Sequence, residues 1–477
     1  MVAFTLLPLA YSQDYVTLEG KVSNASDAPV AYKVTMDGIL FPQKVDTLRL
    51  QPDSTYKVAI PANSGEKYVF YLLGKRKIGE IYLTPGKYKL DIDASKSNEL
   101  KPTGSSSQAN KILTKLSSLD ENVFKLRARE GDVFNISKDT VAAIVYQKLT
   151  NYADSLEKEV VGIDGVLRQQ ALQDIRIQML LAFMNQYFVN YRTSSEAGKK
   201  EWDTSYARML EYVDISKPEN VFSAAFADVI YNMVGVDVFM QNGKRSKDEN
   251  DSNQISFDWY EANLQGRVQE VAMALLFLQD EGRQTFATVM PGLYDKFKAL
   301  YPKSILMPKV ASAVQKNIAF NQTELPTDVV ILNTDSVRTL KEIVSRYTGK
   351  VVYVDLWATW CGSCREEFAY VKPLQKYAAE NNIVLLYISI DAPQRAALWK
   401  KMAGHYDLKG EHAIVNEAFK KEVYDTFGRN GTMMIPHYAI YNKCGELQFQ
   451  SAANPKDVDK LKEQLEKASQ PCGDVAN

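Results

Sequence analysis

The chain has 477 residues, of which 45% are hydrophobic and 24% charged, with a formal net charge of −1. That length exceeds what one compact core organises and implies about three domains. The balanced charge offers no electrostatic footprint for nucleic acid or an anionic membrane surface. No window approaches the ~18 apolar residues that span a bilayer.

Residues 2–12 form a short apolar run that ends in a small-x-small pattern before Gln13. It reads as a signal-peptide remnant (1–12) lacking its basic start; a first β-strand is the competing reading. No cysteine follows the run to carry a lipid anchor. Residues 13–96 hold short, often alternating Val-, Tyr- and Ile-rich segments, separated by turns such as Thr84-Pro85-Gly86-Lys87. That spacing predicts a β-sandwich without any convergent catalytic set.

Residues 97–108, with Pro102, Gly104 and Ser105 to Ser107, read as a linker. From 109 to 320 the period becomes helical. Leu172, Ile175, Met179, Phe183 and Met184 mark one apolar face, and Val271, Leu275 and Leu278 another. Both are read as core stripes, and the polar stretch 242–254 as an exposed loop. No motif states what this helical region does.

From 325 to 470 strands and helices alternate. A strand at 328–334 leads to a helix that Ser336 can cap, ending at 347. The run 351–357 is a buried strand, 365–380 a helix, 382–390 a strand and 393–402 a helix. Residues 404–416 read as a variable connection, with His405 and His412 as solvated loop residues. A helix at 417–427, strands at 438–442 and 446–449, and a helix at 455–468 complete the segment.

The chemistry concentrates where the strand 351–357 meets its helix, at Cys361-Gly362-Ser363-Cys364. This order places Cys361 at a helix N-terminus, where unpaired N–H groups and the positive dipole end favour a thiolate. A thiolate beside a second thiol is equipped for disulfide exchange, one sulfur attacking and the other resolving. Two blander readings compete, besides a decayed redox site in a protein that now only binds. Half of a zinc site would need a second pair, and Cys444 and Cys472 do not form one by spacing. An inert structural bridge is the other.

The segment Trp357-Ala358-Thr359-Trp360-Cys361-Gly362-Ser363-Cys364-Arg365-Glu366-Glu367-Phe368 resembles the active-site segment of thioredoxin-fold oxidoreductases of the extracytoplasmic TlpA/ResA type. A second segment, from Ile435-Pro436-His437 to Leu447, resembles the family's cis-proline strand and hairpin. The match covers under a third of the chain. Three positions depart from the pattern: Ser363 where Pro is frequent, Ala369 where thioredoxins carry a helix-kinking Pro, and Cys444 where the turn usually has Asp. The preceding β-segment resembles domains that accompany such modules in exported Bacteroidetes proteins.

The resemblance implies a multidomain chain: an N-terminal β-sandwich, a central α-helical domain and a C-terminal α/β thioredoxin fold. It implies Cys361 as nucleophile, Cys364 as resolving cysteine, Pro436 with Ile435 lining the substrate groove, and Trp360 shielding the sulfurs. Asp355 corresponds to the buried Asp that assists deprotonation of the resolving cysteine. Glu367 corresponds to a glutamate also assigned to proton transfer. Asp355 could instead be a strand-end carboxylate satisfied by backbone donors, and Glu367 a solvated helix face. His437 is open between partner contact and packing.

By the topology of that fold, Cys444 in the hairpin turn and Cys472 beyond the last helix can meet, and in an oxidising compartment they are expected to pair. The functional expectation is an exported, periplasmic or envelope-associated thiol–disulfide oxidoreductase. It would need protein thiols and an upstream electron donor as partners, and no metal or organic cofactor. A peroxidase is disfavoured because no Thr-x-x-Cys pattern with a partner Arg is present. The alternative is a non-catalytic exported binding protein with an inert cysteine pair.

Overall fold

The computed structural model describes residues 15–25, 29–36, 39–40, 46–61, 66–72, 76–96, 100–104, 141–163, 165–223, 225–428 and 432–471. The expected signal remnant, most of the expected linker, the first part of the expected helical region and Cys472 lie outside them. The chain divides into two compact units, one of Met1–Gly282 with Val289–Val314 and one of Arg283–Thr288 with Gln315–Asn477.

In the first unit, β1 (Tyr15–Ser23), β5 (Thr55–Pro61), β8 (Gly86–Lys89) and β10 (Thr103–Gly104) lie in one sheet, in the order β10-β8-β1-β5. A second sheet contains β2 (Val30–Met36), β6 (Glu66–Leu72) and β7 (Arg76–Leu83) in that order. Val16, Leu18 and Tyr88 from the first sheet share one core with Val30, Tyr68, Phe70 and Ile81 from the second. Alternating strands have buried their apolar faces against each other, as a sandwich requires. The sandwich runs past residue 96. Leu100 is buried in its core and Thr103 pairs with Lys89, so Pro102 and Gly104, the composition cues for a linker, bound an edge strand instead.

The helical part follows the 3.6-residue period. Along α2 (Gly165–Asn190), Ile175, Met179, Phe183 and Met184 are buried, and Phe183 packs on Trp202 at 5.4 Å between ring centres. The polar stretch 242–254 is only partly loop. Asp248 accepts the N–H of Asp251 at 2.9 Å and starts α5 (Glu249–Asn263). The N-cap and acidic first turn explain why a helix begins in sequence that looks like loop.

The second unit is built on a six-stranded sheet of β11 (Val329–Ile331), β12 (Val352–Trp357), β13 (Val384–Ser389), β14 (Gly410–Ile414), β15 (His437–Tyr441) and β16 (Leu447–Phe449). Their order is β11-β14-β13-β12-β15-β16. The first four strands are parallel to one another, and β15 and β16 are antiparallel to their neighbours. This is the thioredoxin-like α/β arrangement. All six residues of β12 are buried, so its sequence is nearly continuously apolar rather than alternating.

Three details depart from the sequence reading. The connection 404–416 contains strand β14, and His412 is fully buried, its ring stacked on Tyr387 at 4.7 Å. Gly410 opens that strand at φ 140°, and a Cβ there would lie 2.5 Å from the Leu385 carbonyl oxygen. Glycine is what lets β14 approach β13. His405 is not loop either; it ends α12 (Ala396–His405) and sits edge-on to Phe320 at 5.2 Å.

The helix before β12 is capped by Thr339, not Ser336. Thr339 accepts the N–H of Glu342, and the Glu342 carboxylate accepts in turn from the Arg338 N–H and the Thr339 hydroxyl. The unit also begins before residue 325. Phe286 stacks on Phe320 at 4.1 Å, and Asn321 donates to the Phe286 carbonyl.

Candidate active site

The site begins where β12 runs out. After Trp357 the chain turns, with Cys361 N–H donating to the Ala358 carbonyl at 3.0 Å. Cys361 has extended backbone and caps α10 (Gly362–Glu367), its sulfur accepting the N–H of Cys364 at 3.1 Å. The side chain that caps the helix is therefore the sulfur itself, facing the unpaired N–H groups that stabilise negative charge. Cys361 and Cys364 are joined, with S–S 2.02 Å and Cα–Cα 5.3 Å. Cys361 is 5% exposed and Cys364 1%, so Cys361 is the sulfur a partner reaches first. Ser363 Oγ lies 3.5 Å from the Cys361 sulfur. Trp360 is 56% exposed next to it.

The helix then breaks. A 3₁₀ turn over Phe368–Tyr370 separates α10 from α11 (Val371–Glu380). Ala369 is not the cause. Pro373 is, because it has no N–H to donate to the Ala369 carbonyl four residues back and its ring crowds that carbonyl. The helix is thus broken although position 369 is Ala where thioredoxins carry a proline.

Asp355, in the strand that leads into the cysteine turn, is 1% exposed, with neither carboxylate oxygen hydrogen-bonded. The strand-end reading, in which backbone donors satisfy it, does not hold. Burial first, and the charge of Glu367 second, push its pKa well above the ordinary carboxylate range. Glu367, at the end of α10, is also raised by burial, partly offset by a backbone N–H and the charge of Lys456. It is half-buried with Oε2 unpartnered, unlike a solvated helix face. The two acids form a graded pair, one sealed in and one reaching towards water.

The register places the second segment at the same end of the sheet. Leu356 pairs with His437, so Pro436 stands beside the end of β12 that leads into the cysteine turn. The Ile435–Pro436 bond is cis. Both residues are half-buried, and Met434 just before them is 81% exposed. His437 holds the hairpin, its Nε2 2.7 Å from the Gln450 carbonyl and its ring 5.1 Å from Phe427. Cys444 lies in the turn at the opposite end, its N–H on Asn442 Oδ1 at 3.0 Å. Its expected partner, Cys472, is outside the described residues. Among the described residues, no group of three His, Cys, Asp or Glu side chains is placed to hold a metal.

Two residues went unnoticed in the sequence. Met434 could have been found from its place before the cis-proline segment. Asp391 gave a weaker signal, an acid just past a buried parallel strand, where loops of such sheets gather. It is 1% exposed and accepts the N–H of Thr359 at 2.7 Å and the Thr359 hydroxyl at 2.8 Å.

Residues 322–465 match the family model described as Redoxin, and residues 16–110 one described as a domain of unknown function, DUF4369. Thiol-disulfide oxidoreductase ResA of Bacillus thuringiensis is 27% identical over 121 residues, covering 25% of this chain and 65% of that protein. A thioredoxin of Coprinus comatus is 40% identical over 63 residues, 13% of this chain and 54% of the relative. The chain thus spans less than two thirds of the length of these curated relatives. The solution structure of a putative thiol-disulfide oxidoreductase from Bacteroides vulgatus is 28% identical, covering 26% of this chain and 79% of that one, with a TM-score of 0.22. The C-terminal part of this chain has a thioredoxin-like fold and is similar to the redoxin family and to thiol–disulfide oxidoreductases of the ResA type.

Proposed function

We propose that this protein exchanges disulfides with protein substrates through Cys361 and Cys364, working outside the cytoplasm. In the reduced form the Cys361 thiolate attacks one sulfur of a substrate disulfide. A Cys361–substrate bond forms, and the other substrate sulfur leaves as a thiolate that takes up a proton. Cys364 then loses its proton and attacks Cys361, forming the Cys361–Cys364 bond and releasing the second substrate thiol. Two electrons pass from the cysteine pair to the substrate, and an upstream thiol donor restores the pair. Asp355, in its ionised form, takes the Cys364 proton, and Glu367 passes it to water. The cis-Pro436 segment with Ile435 would receive the partner strand beside Trp360.

One observation carries this reading: the more exposed sulfur of the bonded pair caps a helix, and the strand that leads into it holds a buried carboxyl without a hydrogen-bond partner. The chemistry uses sulfur and proton transfer alone. Export is supported by the apolar run at 2–12 and its small-x-small ending. The deciding experiment is titration of the Cys361–Cys364 pair against glutathione and dithiothreitol, with turnover of a disulfide-bonded test protein. Reversible titration with turnover is expected, and its potential sets reductant against oxidant. A bridge inert to both reagents, in folded protein, would overturn the proposal.

A further inference from the structure

The turn that carries the nucleophile is fixed by a buried cluster centred on Thr359, two residues before Cys361. Asp391 accepts three hydrogen bonds: the Thr359 N–H on Oδ2 at 2.7 Å, the Thr359 hydroxyl on Oδ1 at 2.8 Å, and the Ser389 hydroxyl on Oδ2 at 2.7 Å. The Thr359 oxygen, its proton committed to Asp391, accepts in turn from Arg395 Nη1 at 3.2 Å. Arg365, one residue past Cys364, lies 3.5 Å from the Thr359 carbonyl through Nη1. Asp391, Thr359 and Ser389 are all buried. A carboxylate in that setting persists only when its lone pairs are taken, and here they are taken by the active-site turn and the end of β13.

We infer that Asp391 is a positioning residue for the exchange reaction: through Thr359 it holds the 358–361 turn so that the Cys361 sulfur stays over the first N–H groups of α10. The inference rests on Cys361 being the attacking thiol, as proposed above. It follows from how steeply the capping interaction depends on placement. Helix-end stabilisation falls off within the first turn, and Cys361 has a single N–H contact, that of Cys364. A turn released at Thr359 lets the sulfur drift from that contact and lose thiolate character.

Charge and position make opposite predictions, which makes the inference testable. Asp391→Asn removes a negative charge from the vicinity of the thiolate. If Asp391 acted only through its charge, the Cys361 thiol pKa would fall. If it acts by position, the pKa rises, because an amide has one acceptor oxygen where the carboxylate has two: with the Thr359 N–H kept on that oxygen, the NH₂ can only donate to the Thr359 hydroxyl, whose own proton loses its acceptor.

The experiment measures the iodoacetamide alkylation rate of Cys361 against pH in the reduced full-length protein, with peptide mapping to separate it from the other cysteines. Positioning predicts that Asp391→Asn moves the profile to higher pH and lowers the rate near pH 7 about tenfold, equivalent to one pKa unit. Thr359→Val keeps the shape and the backbone bond but loses both hydroxyl bonds, so it should shift the same way by about threefold. Thr359→Ser restores the hydroxyl and should restore the profile. A profile in folded Asp391→Asn that is unmoved, or that moves to lower pH, overturns the inference. If Asp391→Asn does not fold, Thr359→Val decides alone, an unmoved profile being the overturning result. The readout is independent of turnover. Wild-type protein that fails to reduce a test disulfide would sink the proposed function and leave this result standing. An active wild type with unmoved variants would do the reverse.

Discussion

Asp355 and Tyr438 face each other directly across β12 and β15, and Tyr387 faces Asp355 from the other side in β13. His412 continues the row beside Tyr387. Four ionisable side chains thus cross an otherwise apolar sheet on adjacent strands, all buried. The Asp355 oxygens, both tyrosine hydroxyls and His412 Nδ1 lack hydrogen-bond partners. The row has consequences for stability as well as for proton transfer.

Asp355 has a folded pKa above its unfolded one, so its stabilising contribution is complete below the unfolded pKa and is lost as pH rises towards the folded pKa. His412 is pushed the other way, to about 4, because burial disfavours its cation. Its contribution is present above the unfolded pKa near 6.5 and is lost as pH falls through about 4. Between pH 6.5 and 4 the two slopes oppose each other. Asp355→Asn should therefore be more stable than wild type at neutral pH. It should also show the unmasked His412 slope, a loss of about 3 kcal/mol between pH 6.5 and 4. Hydrogen exchange of the β12 and β13 amides reports it, and a variant with wild-type pH dependence would refute the assignment.

The same substitution should slow catalysis while it stabilises the fold. Asp355→Asn, and to a lesser degree Glu367→Gln, is expected to lower turnover near neutral pH by up to about 10²-fold. The loss should diminish at alkaline pH, where Cys364 ionises without help. The pH–rate profile of each variant is the measurement, and two unchanged profiles would leave both acids structural.

The two cysteines should fail in different ways. Cys361→Ser removes the accessible sulfur and should reduce exchange to background. Cys364→Ser leaves the attacking sulfur and removes the resolving one, so a mixed disulfide should accumulate. Non-reducing gels with a test substrate distinguish the two. Mixed disulfide trapped by Cys361→Ser instead would reverse the roles.

The remaining cysteines invite a separate proposal, a structural Cys444–Cys472 bridge. The β15–β16 turn follows Tyr441, which pairs with Val352 at the start of β12, opposite the active site. The last turn of α14 (Val458–Ala468) reaches that same end, where Tyr377 near the close of α11 donates to Glu466 at 3.2 Å. A closed loop of about 28 residues would contribute roughly 3–4 kcal/mol by the chain-entropy model, less any strain. Peptide mapping without reductant should recover the linked pair, and two alkylatable thiols would end the proposal.

Export has its own measurement. Fractionation of cells expressing the full-length chain should place it outside the cytoplasm, and cytoplasmic retention would contradict the reading of residues 2–12.

Much of the site was legible from the sequence because it depends on local order. Strand, Cys-x-x-Cys turn and helix are consecutive, so the placement of Cys361 at a helix end and the burial of Asp355 in an apolar run follow from about fifteen residues. The amphipathic stripe at Ile175, Met179 and Phe183 was readable for the same reason. What the sequence could not determine depends on partners distant along the chain. Thr359 and Asp391 are 32 positions apart, and nothing in either neighbourhood names the other. His412 read as part of a variable connection; only the close approach of β14 to β13, which Gly410 permits, makes the segment a strand and seals the histidine. The kink at Ala369 came from Pro373, a local cause whose effect lies one turn away from the residue that produces it. The fate of the Asp355 carboxyl was undecided until the sheet placed tyrosines on either side of it and no donor within reach. Pattern along the chain reports which residues are buried. Only the tertiary structure decides what a buried polar group is left to bond with, and that determines its charge.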